Sequence, residues 1–503
     1  MKRISTVLMV LLCATVSAQS INEVLRYSIN EPYGTARFRA MGGAFGALGG
    51  DLSALNVNPA GSAVFNFGEF TVTGSNYNRD NEASLGGRLA RAEINSQEIN
   101  QAGAVFVFES NNSNWKKLAV GVNFDMVQNF DNETFISGTA NNGIDNYFLQ
   151  QADGFRLADL RVQADNGERI EDAYLNIGET PGLGFAGQQA FLGFQAGLIE
   201  PTEDVDDNTT YFSNAIYDNV NQELLTTTSG FNSKLTLNFA GQYQENLYVG
   251  ASLNFHTVLF EQLTLFDENG YADDSPVTFT TFDNFLRTDG YGFSFSVGAI
   301  AKLNDNIRIG GSYQSPTWYE LTDEISQRIN STLAEPDINF INFGLVNLFE
   351  EYRIQTPSII TGSAAVVFGK EGLISFDYSY QDMSQAELRP NSDPIFIEEN
   401  DFIENTLGVI NTYRIGGELR IDQLSLRAGY RLEESPYENG EVIGDLTGYS
   451  GGLGYNFGGS RLDLAFVRTD RDVSQNLFDS NLSDAAMVNQ VNTTITLGYT
   501  LKF

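Results

Sequence analysis

The sequence predicts an all-β protein, a 14-stranded antiparallel transmembrane β-barrel with an N-terminal hatch, and three observations predict it. Segments of roughly ten residues alternate apolar with small or polar side chains, as membrane-crossing strands must. The connections between them are alternately very short and long. The last segment is amphipathic up to the terminal Phe503.

Composition points the same way and removes other classes. Among 503 residues there are 49 Gly, 22 Tyr and 37 Phe, while charged residues make up only 18%, a balance that leans towards strand. With 64 acidic against 29 basic side chains the net charge is −35, so a phosphate backbone is repelled and no nucleic acid is expected as a partner. One His and one Cys leave catalytic zinc, Cys-His proteases and iron–sulfur clusters without ligands; neither metal nor cofactor is expected.

Residues 1–18 read as a signal peptide: Lys2 and Arg3, an apolar run from Val7 to Thr15, and the small-residue cleavage site Val16-Ser17-Ala18 before Gln19. Cys13 lies inside that run behind Leu12, where lipidation wants a small residue, so no lipid anchor is expected. Beyond it no apolar run reaches the roughly eighteen residues of a membrane-spanning helix. An exported chain of this kind is either soluble or a barrel.

Residues 19–68 do not read as strand. The run from Met41 to Gly50 holds Gly42, Gly43, Gly46, Gly49 and Gly50; Asp51 then suits a helix N-cap, and Pro59 would stop the short helix that follows. So few large side chains cannot bury a core of their own. The segment is expected inside the barrel as its hatch, with residues 69–503 forming the wall and its outer loops.

Strands are expected near 69–78, 98–109, 117–130, 232–243, 247–258, 291–302, 306–315, 354–368, 373–382, 412–421, 424–432, 448–457, 461–469 and 491–503. Tight polar turns such as 244–246, 304–305, 369–372, 422–423 and 458–460 alternate with long joins at 79–97, 131–231, 259–290, 316–353, 383–411, 433–447 and 470–490. Short turns on one rim and long loops on the other are the habit of outer-membrane barrels. In the final strand Ile495, Leu497, Tyr499, Leu501 and Phe503 share one face, and Thr494, Thr496, Gly498, Thr500 and Lys502 the other. The apolar face must meet lipid, because a lipid-facing Lys or Arg at the midplane costs about 2–4 kcal/mol. The polar face lines the lumen. In the loop 131–231, Ile144, Phe148, Phe155, Ala158 and Leu160 recur at helical spacing, and 181–198 is rich in Gly, Ala and Phe. Two outcomes are open for these stretches: a greasy outer mouth, or a lid packed on itself.

Asn58-Pro59-Ala60, with Asp51 and Ser53 ahead of it, resembles the hatch motif of the FadL/TodX outer-membrane transport family for hydrophobic compounds. Ile309-Gly310-Gly311-Ser312-Tyr313-Gln314-Ser315-Pro316, Arg414-Ile415-Gly416-Gly417-Glu418-Leu419 and Leu426-Arg427-Ala428-Gly429-Tyr430 agree with it, and Gly34 to Gly43 looks like the Bacteroidetes branch. The resemblance implies passive transport of hydrophobic small molecules such as long-chain fatty acids across the outer membrane of a Gram-negative bacterium, by a monomer. Ligand would be captured by the loops, held in a lumenal pocket, and released when the hatch moves, leaving sideways at a kink in the third strand. The other partners expected are outer-membrane lipid and the β-barrel assembly machinery, whose C-terminal signal Phe503 resembles. The alternative is an interaction barrel, a shuttle of the Bacteroidetes protein secretion system. An enzyme is not expected.

The hatch or gate residues are expected to be Asn58, Pro59, Ala60, Asp51 and Phe45. Arg308, Arg414 and Arg427 fall on lumenal faces, where a fatty-acid carboxylate needs a cation and where Glu418 or Asp463 would compete for it. Asn123 and Asp125 share the lumenal face of the third strand, with Asp125 suited to a hatch amide. His256 is expected at the rim; alone it does not make a haem site.

Overall fold

The computed structural model describes residues 20–29, 31–110, 113–478 and 485–503. The expected signal peptide, with Cys13, lies outside the described residues.

Fourteen long strands form the wall: β1 (Glu69–Leu85), β2 (Arg88–Glu109), β3 (Trp115–Asn129), β4 (Val220–Tyr243), β5 (Leu247–Asn269), β6 (Phe279–Lys302), β7 (Ile307–Gln314), β8 (Ile359–Phe368), β9 (Gly372–Asp382), β10 (Val409–Ile421), β11 (Leu424–Glu433), β12 (Leu446–Asn456), β13 (Ser460–Asn476) and β14 (Ala485–Lys502). Each pairs antiparallel with its neighbour in sequence, and β1 closes the ring on β14 from Glu69↔Lys502 to Ser84↔Met487. The barrel thus satisfies its backbone groups without an edge inside the bilayer. Exposed Phe70, Leu118, Phe239, Phe255, Phe293, Phe376, Leu453, Leu497 and Leu501 form the outward apolar band, and the alternate residues are buried.

The expected strands are all present, but several of the expected long loops are strand. β1 and β2 continue past residue 78 to a two-residue turn at Gly86-Gly87; β5 and β6 run far above the apolar band; and Trp318–Ser331 carries the wall upward against β6 after β7 ends. The physical reason is simple. Above the bilayer the outward face of β1 becomes Asn76, Asn78 and Asp80, so alternation of hydropathy vanishes while the hydrogen-bonded ladder continues.

The third strand departs from its neighbour. β3 pairs with β2 only from Glu109↔Lys117 to Gln101↔Asp125, whereas its pairing with β4 continues to Asn129↔Phe231 through a register shift between Met126 and Gln128. The segment Asn132–Ala140 then follows β4 upward.

The stretch 131–231 is a helical lid. Its helices α3 (Asp145–Ala152), α4 (Ile170–Glu179) and α5 (Gly184–Gln195), with the segments that join them, bury Ile144, Phe148, Leu160, Phe191 and Leu192 against Ile136, Leu224, Phe266 and Phe282 of the raised strands. Of the two outcomes left open by the sequence, packing as a lid is the one realised, because these apolar faces satisfy one another.

Candidate functional site

The hatch is built from one short helix, α2 (Ala36–Ala40), and capped turns. Asp51 caps the 3-10 turn Leu52–Asn56, its Oδ1 accepting from Ser53 N at 3.0 Å and from Thr35 Oγ1 at 2.7 Å. Pro59 does more than end that turn: it is the first residue of a second one, Pro59–Val64, capped by Asn58, whose Oδ1 accepts from Ala60 N at 3.1 Å. Asn58 Nδ2 also donates to Gly46 O at 2.8 Å and to Ala299 O on β6 at 3.0 Å. One side chain therefore caps a turn, ties two hatch loops and fixes both to the wall. Phe45 is fully buried against Phe38, with ring centroids 5.5 Å apart and the Arg37 guanidinium 5.2 Å over its ring. Ala60 packs with Tyr248 and Ile300.

The wall meets the hatch through glycines and through charges. A Cβ on Gly310 would sit on the carbonyl oxygen of Gly46, and one on Gly429 on the amide of Gly42. Gly310 and Gly429 are thus places where hatch backbone lies against wall backbone. Arg308 Nη1 donates to Leu48 O at 3.1 Å, and Gly46 N donates to Asp377 Oδ2 at 2.9 Å. Arg427 is held by Glu418 at 2.6 Å and Asp463 at 2.7 Å, and Glu418 also takes Arg37 of the hatch at 2.9 Å. Arg308 and Arg427 are therefore structural ties in this conformation. Of the three arginines, Arg414 is the one that lines the lumenal space above the hatch turns.

That space is a lumenal cavity of about 120 Å³ above the hatch turns. Asp125, Lys234, His256, Tyr319, Arg414 and Arg431 come to it from six wall segments, and Tyr27 and Asn56 from the hatch. Arg431 is paired with Glu433, whereas Arg414 donates from Nη2 to Ser379 Oγ at 3.2 Å. Among the described residues no carboxylate comes within ion-pair distance of Lys234 or Arg414. Asp125 meets the hatch through the side chain of Asn56 and not through a backbone amide; it also accepts from Asn123 Nδ2, and Asn123 Oδ1 accepts from Gln101 Nε2 at 2.7 Å. His256 is buried, not at the rim, with Nδ1 3.3 Å from Tyr319 OH and Nε2 3.4 Å from Ser294 Oγ. The position is mid-strand because β5 continues to Asn269.

Sequence reasoning missed Lys234, Tyr27 and Tyr319. The signal for Lys234 was present, since it shares the inward face of β4 with Thr236 and Asn238, opposite Leu235, Leu237 and Phe239. Tyr319 lay in an expected loop. The roof over the cavity is helix α1 (Ile21–Ser28), closed by a Ser20–Glu23 capping box. Val24, Leu25 and Tyr27 pack against Phe130, Phe260, Tyr319 and Phe396, and Ile21 N donates to Glu399 of the outer helix α6 (Pro394–Thr406) at 2.5 Å.

A closed barrel, plugged from within and carrying a lumenal cavity between the hatch turns and helix α1, defines the class: an outer-membrane transport barrel. The sequence profile described as outer membrane protein transport protein (OMPP1/FadL/TodX) matches residues 219–500. The chain belongs to that family, whose members carry hydrophobic compounds across the outer membrane of Gram-negative bacteria; it is a family of transport channels, not of enzymes. Solved structures share the fold at low identity. A Pseudomonas aeruginosa FadL homologue superposes with a TM-score of 0.56 at 13% identity, over 95% of this chain and 100% of that one. The Pseudomonas putida toluene transporter TodX superposes with a TM-score of 0.50 at 13% identity, over 95% and 100%. No curated protein sequence matches the chain.

Proposed function

We propose that the compound carried is an amphipathic carboxylate, the class to which long-chain fatty acids belong, and that it moves passively through the lumen of a monomer. The observation that carries this reading is the pair Lys234 and Arg414, two cations facing a cavity with no carboxylate in ion-pair distance among the described residues. Asp125 acts on Lys234, and Asp377 and Glu433 on Arg414, without closing an ion pair, and a bound carboxylate supplies the direct hydrogen-bonded anion that a buried cation favours. Capture takes place among the outer loops; α1 and the hatch turns separate the cavity from either side, and a shift of the hatch releases the ligand. The end of the β2–β3 ladder at Gln101↔Asp125 offers a sideways way out. Insertion is assigned to the β-barrel assembly machinery.

The test is uptake of isotope-labelled fatty acid by cells lacking the chain and by the same cells supplied with it. Equal uptake in both would sink the reading. A second reading, a shuttle barrel of a secretion system, draws on one observation: the outer segment between Ser331 and Tyr352 exposes Phe340, Val346 and Leu348, the kind of apolar surface a protein partner covers. Co-purification of a secretion component, with uptake unchanged by deletion, would favour it.

A further inference from the structure

We infer that Asp377 is a positioning residue for the hatch with two alternative partners: the Gly46 amide while the hatch is seated, and Arg414 once residues 41–50 leave the wall. The inference rests on the hatch movement proposed above and names the side chains that make it reversible.

Register is the first ground. Asp377 of β9 and Arg414 of β10 are direct partners across the ladder, and both belong to the lumenal face. Side chains directly opposite have Cβ atoms about 4.5–5.5 Å apart, and opposite charges so placed ordinarily pair. These two do not. Asp377 Oδ2 accepts from Gly46 N at 2.9 Å, with the Phe45 amide and the Ser363 hydroxyl also acting on the carboxylate. Arg414 instead donates from Nη2 to Ser379 Oγ at 3.2 Å, one inward step further along β9. Asp377 therefore attracts Arg414 through space without closing an ion pair among the described residues.

Electrostatics are the second ground. Arg414 stands between Asp377 on one side and Arg431, its direct partner on β11, on the other. Arg431 repels it, and Glu433, which attracts it, is already held by Arg431 and Arg471. The Arg414 Nε is buried and makes no hydrogen bond among the described residues. A guanidinium in this position gains a charge-assisted hydrogen bond by turning to Asp377, and the seated hatch stands in the way by occupying the carboxylate.

The consequence falls on the hatch. Lifting Gly46 off the wall would by itself leave a buried carboxylate without its donor, which is costly. Arg414 supplies a new donor from the neighbouring strand and offsets that cost. The hatch then trades one partner for another and reseats when Gly46 returns.

The experiment is hydrogen–deuterium exchange of the purified full chain in a non-ionic detergent, read by mass spectrometry on the peptide 41–50 that contains the Gly46 amide. Asp377→Asn keeps an acceptor for Gly46 but loses the charge, and Arg414→Gln removes the cation. Each is expected to slow exchange of this peptide by roughly tenfold to a hundredfold, the range for a hydrogen bond to a charged group, because the open state loses its compensation. The double variant should be no slower than either single one, since both remove the same pair. Arg414→Lys keeps the charge and should restore most of the parent rate. Each variant is checked first for heat-modifiable migration, so that a misfolded barrel is not scored. Unchanged or faster exchange in either charge-removing variant would make Asp377 a plain tether and overturn the inference. Arg414→Lys as slow as Arg414→Gln would overturn it too, by assigning the effect to packing of the guanidinium. Slowed exchange with uptake of labelled fatty acid equal to the parent would leave the change of partners standing and overturn the hatch movement as the route of transport.

Discussion

Arg37 of the hatch and Glu418 of the wall, 381 residues apart in the chain, meet in a two-point ion pair, Nε to Oε2 at 2.9 Å and Nη2 to Oε1 at 3.3 Å. Glu418 also holds Arg427, which in turn holds Asp463, and Asp463 takes Arg461 at 2.6 Å. This chain of charges crosses β10, β11 and β13 and ends on the hatch. Removing the Glu418 charge leaves the buried Arg37 guanidinium without its carboxylate, while Arg427 keeps Asp463, and breaking a buried pair in this way costs about 3–5 kcal/mol. Glu418→Gln is therefore expected to loosen the hatch while leaving the lipid-facing wall intact. Limited proteolysis should cut residues 34–50 in the variant and spare them in the parent, with heat-modifiable migration of the barrel retained in both.

Gly310 and Gly311 are adjacent and opposite in what they tolerate. A Cβ on Gly310 would overlap hatch backbone at Gly46, whereas one on Gly311 meets nothing within 4 Å. Gly310→Ala is expected to cost about 1–3 kcal/mol through forced displacement. Gly311→Ala should fall within about 0.5 kcal/mol of the parent, as surface changes do. Urea unfolding midpoints in detergent would separate them, and equal midpoints would remove the hatch contact as the reason for glycine at 310.

Asn58 joins Gly46, Ala299 and Ala60 through one amide group. Asn58→Ala removes the cap and leaves buried carbonyl oxygens unpaired, at about 1–3 kcal/mol. Because the wall's own ladder is untouched, barrel assembly is expected to be normal while uptake of labelled ligand falls. Loss of assembly and uptake in equal measure would make Asn58 a folding residue only.

The lid has its own pH dependence, centred on Glu268. This carboxyl accepts from Ile144 N at 3.0 Å, Gln222 Nε2 at 2.7 Å and Tyr271 OH at 2.5 Å, beside Asp145, which accepts from Tyr217 OH at 2.7 Å. Burial raises Glu268 to about 7 and raises Asp145 as well. The packed lid thus holds the proton more tightly than an opened one. Its stability is full below the ordinary glutamate value of 4.5 and is lost as the pH climbs through about 7. The loss is on the order of 3 kcal/mol. Amide exchange in α3 is expected to quicken between pH 6 and pH 8.5, and Glu268→Gln should flatten that response.

Much of this architecture was legible before any coordinates. Within the bilayer each wall residue faces either lipid or lumen, so period-two alternation has to be written into the chain, and the strand positions and the inward placement of Arg308, Arg414 and Arg427 could be read from it. The glycine-dense run before Asp51 likewise declared a segment without a core of its own. Above the bilayer that constraint lapses. Asn76, Asn78 and Asp80 continue a strand that hydropathy cannot distinguish from a loop, so the raised wall, the mid-strand setting of His256 and the strand that brings in Tyr319 emerged only from the ladder.

What the sequence by itself determined was the barrel, its polarity and its plug, because those follow from local patterns of a single chain segment meeting lipid, lumen or turn. The tertiary structure alone decided which lumenal charges answer one another. Arg427 and Arg414 lie on similar inward faces of neighbouring strands, yet one is closed off by Glu418 and Asp463 and the other looks into a cavity that Lys234 also lines. That difference rests on contacts between residues far apart in the chain, and alternation along one strand carries no information about which partner stands across the lumen.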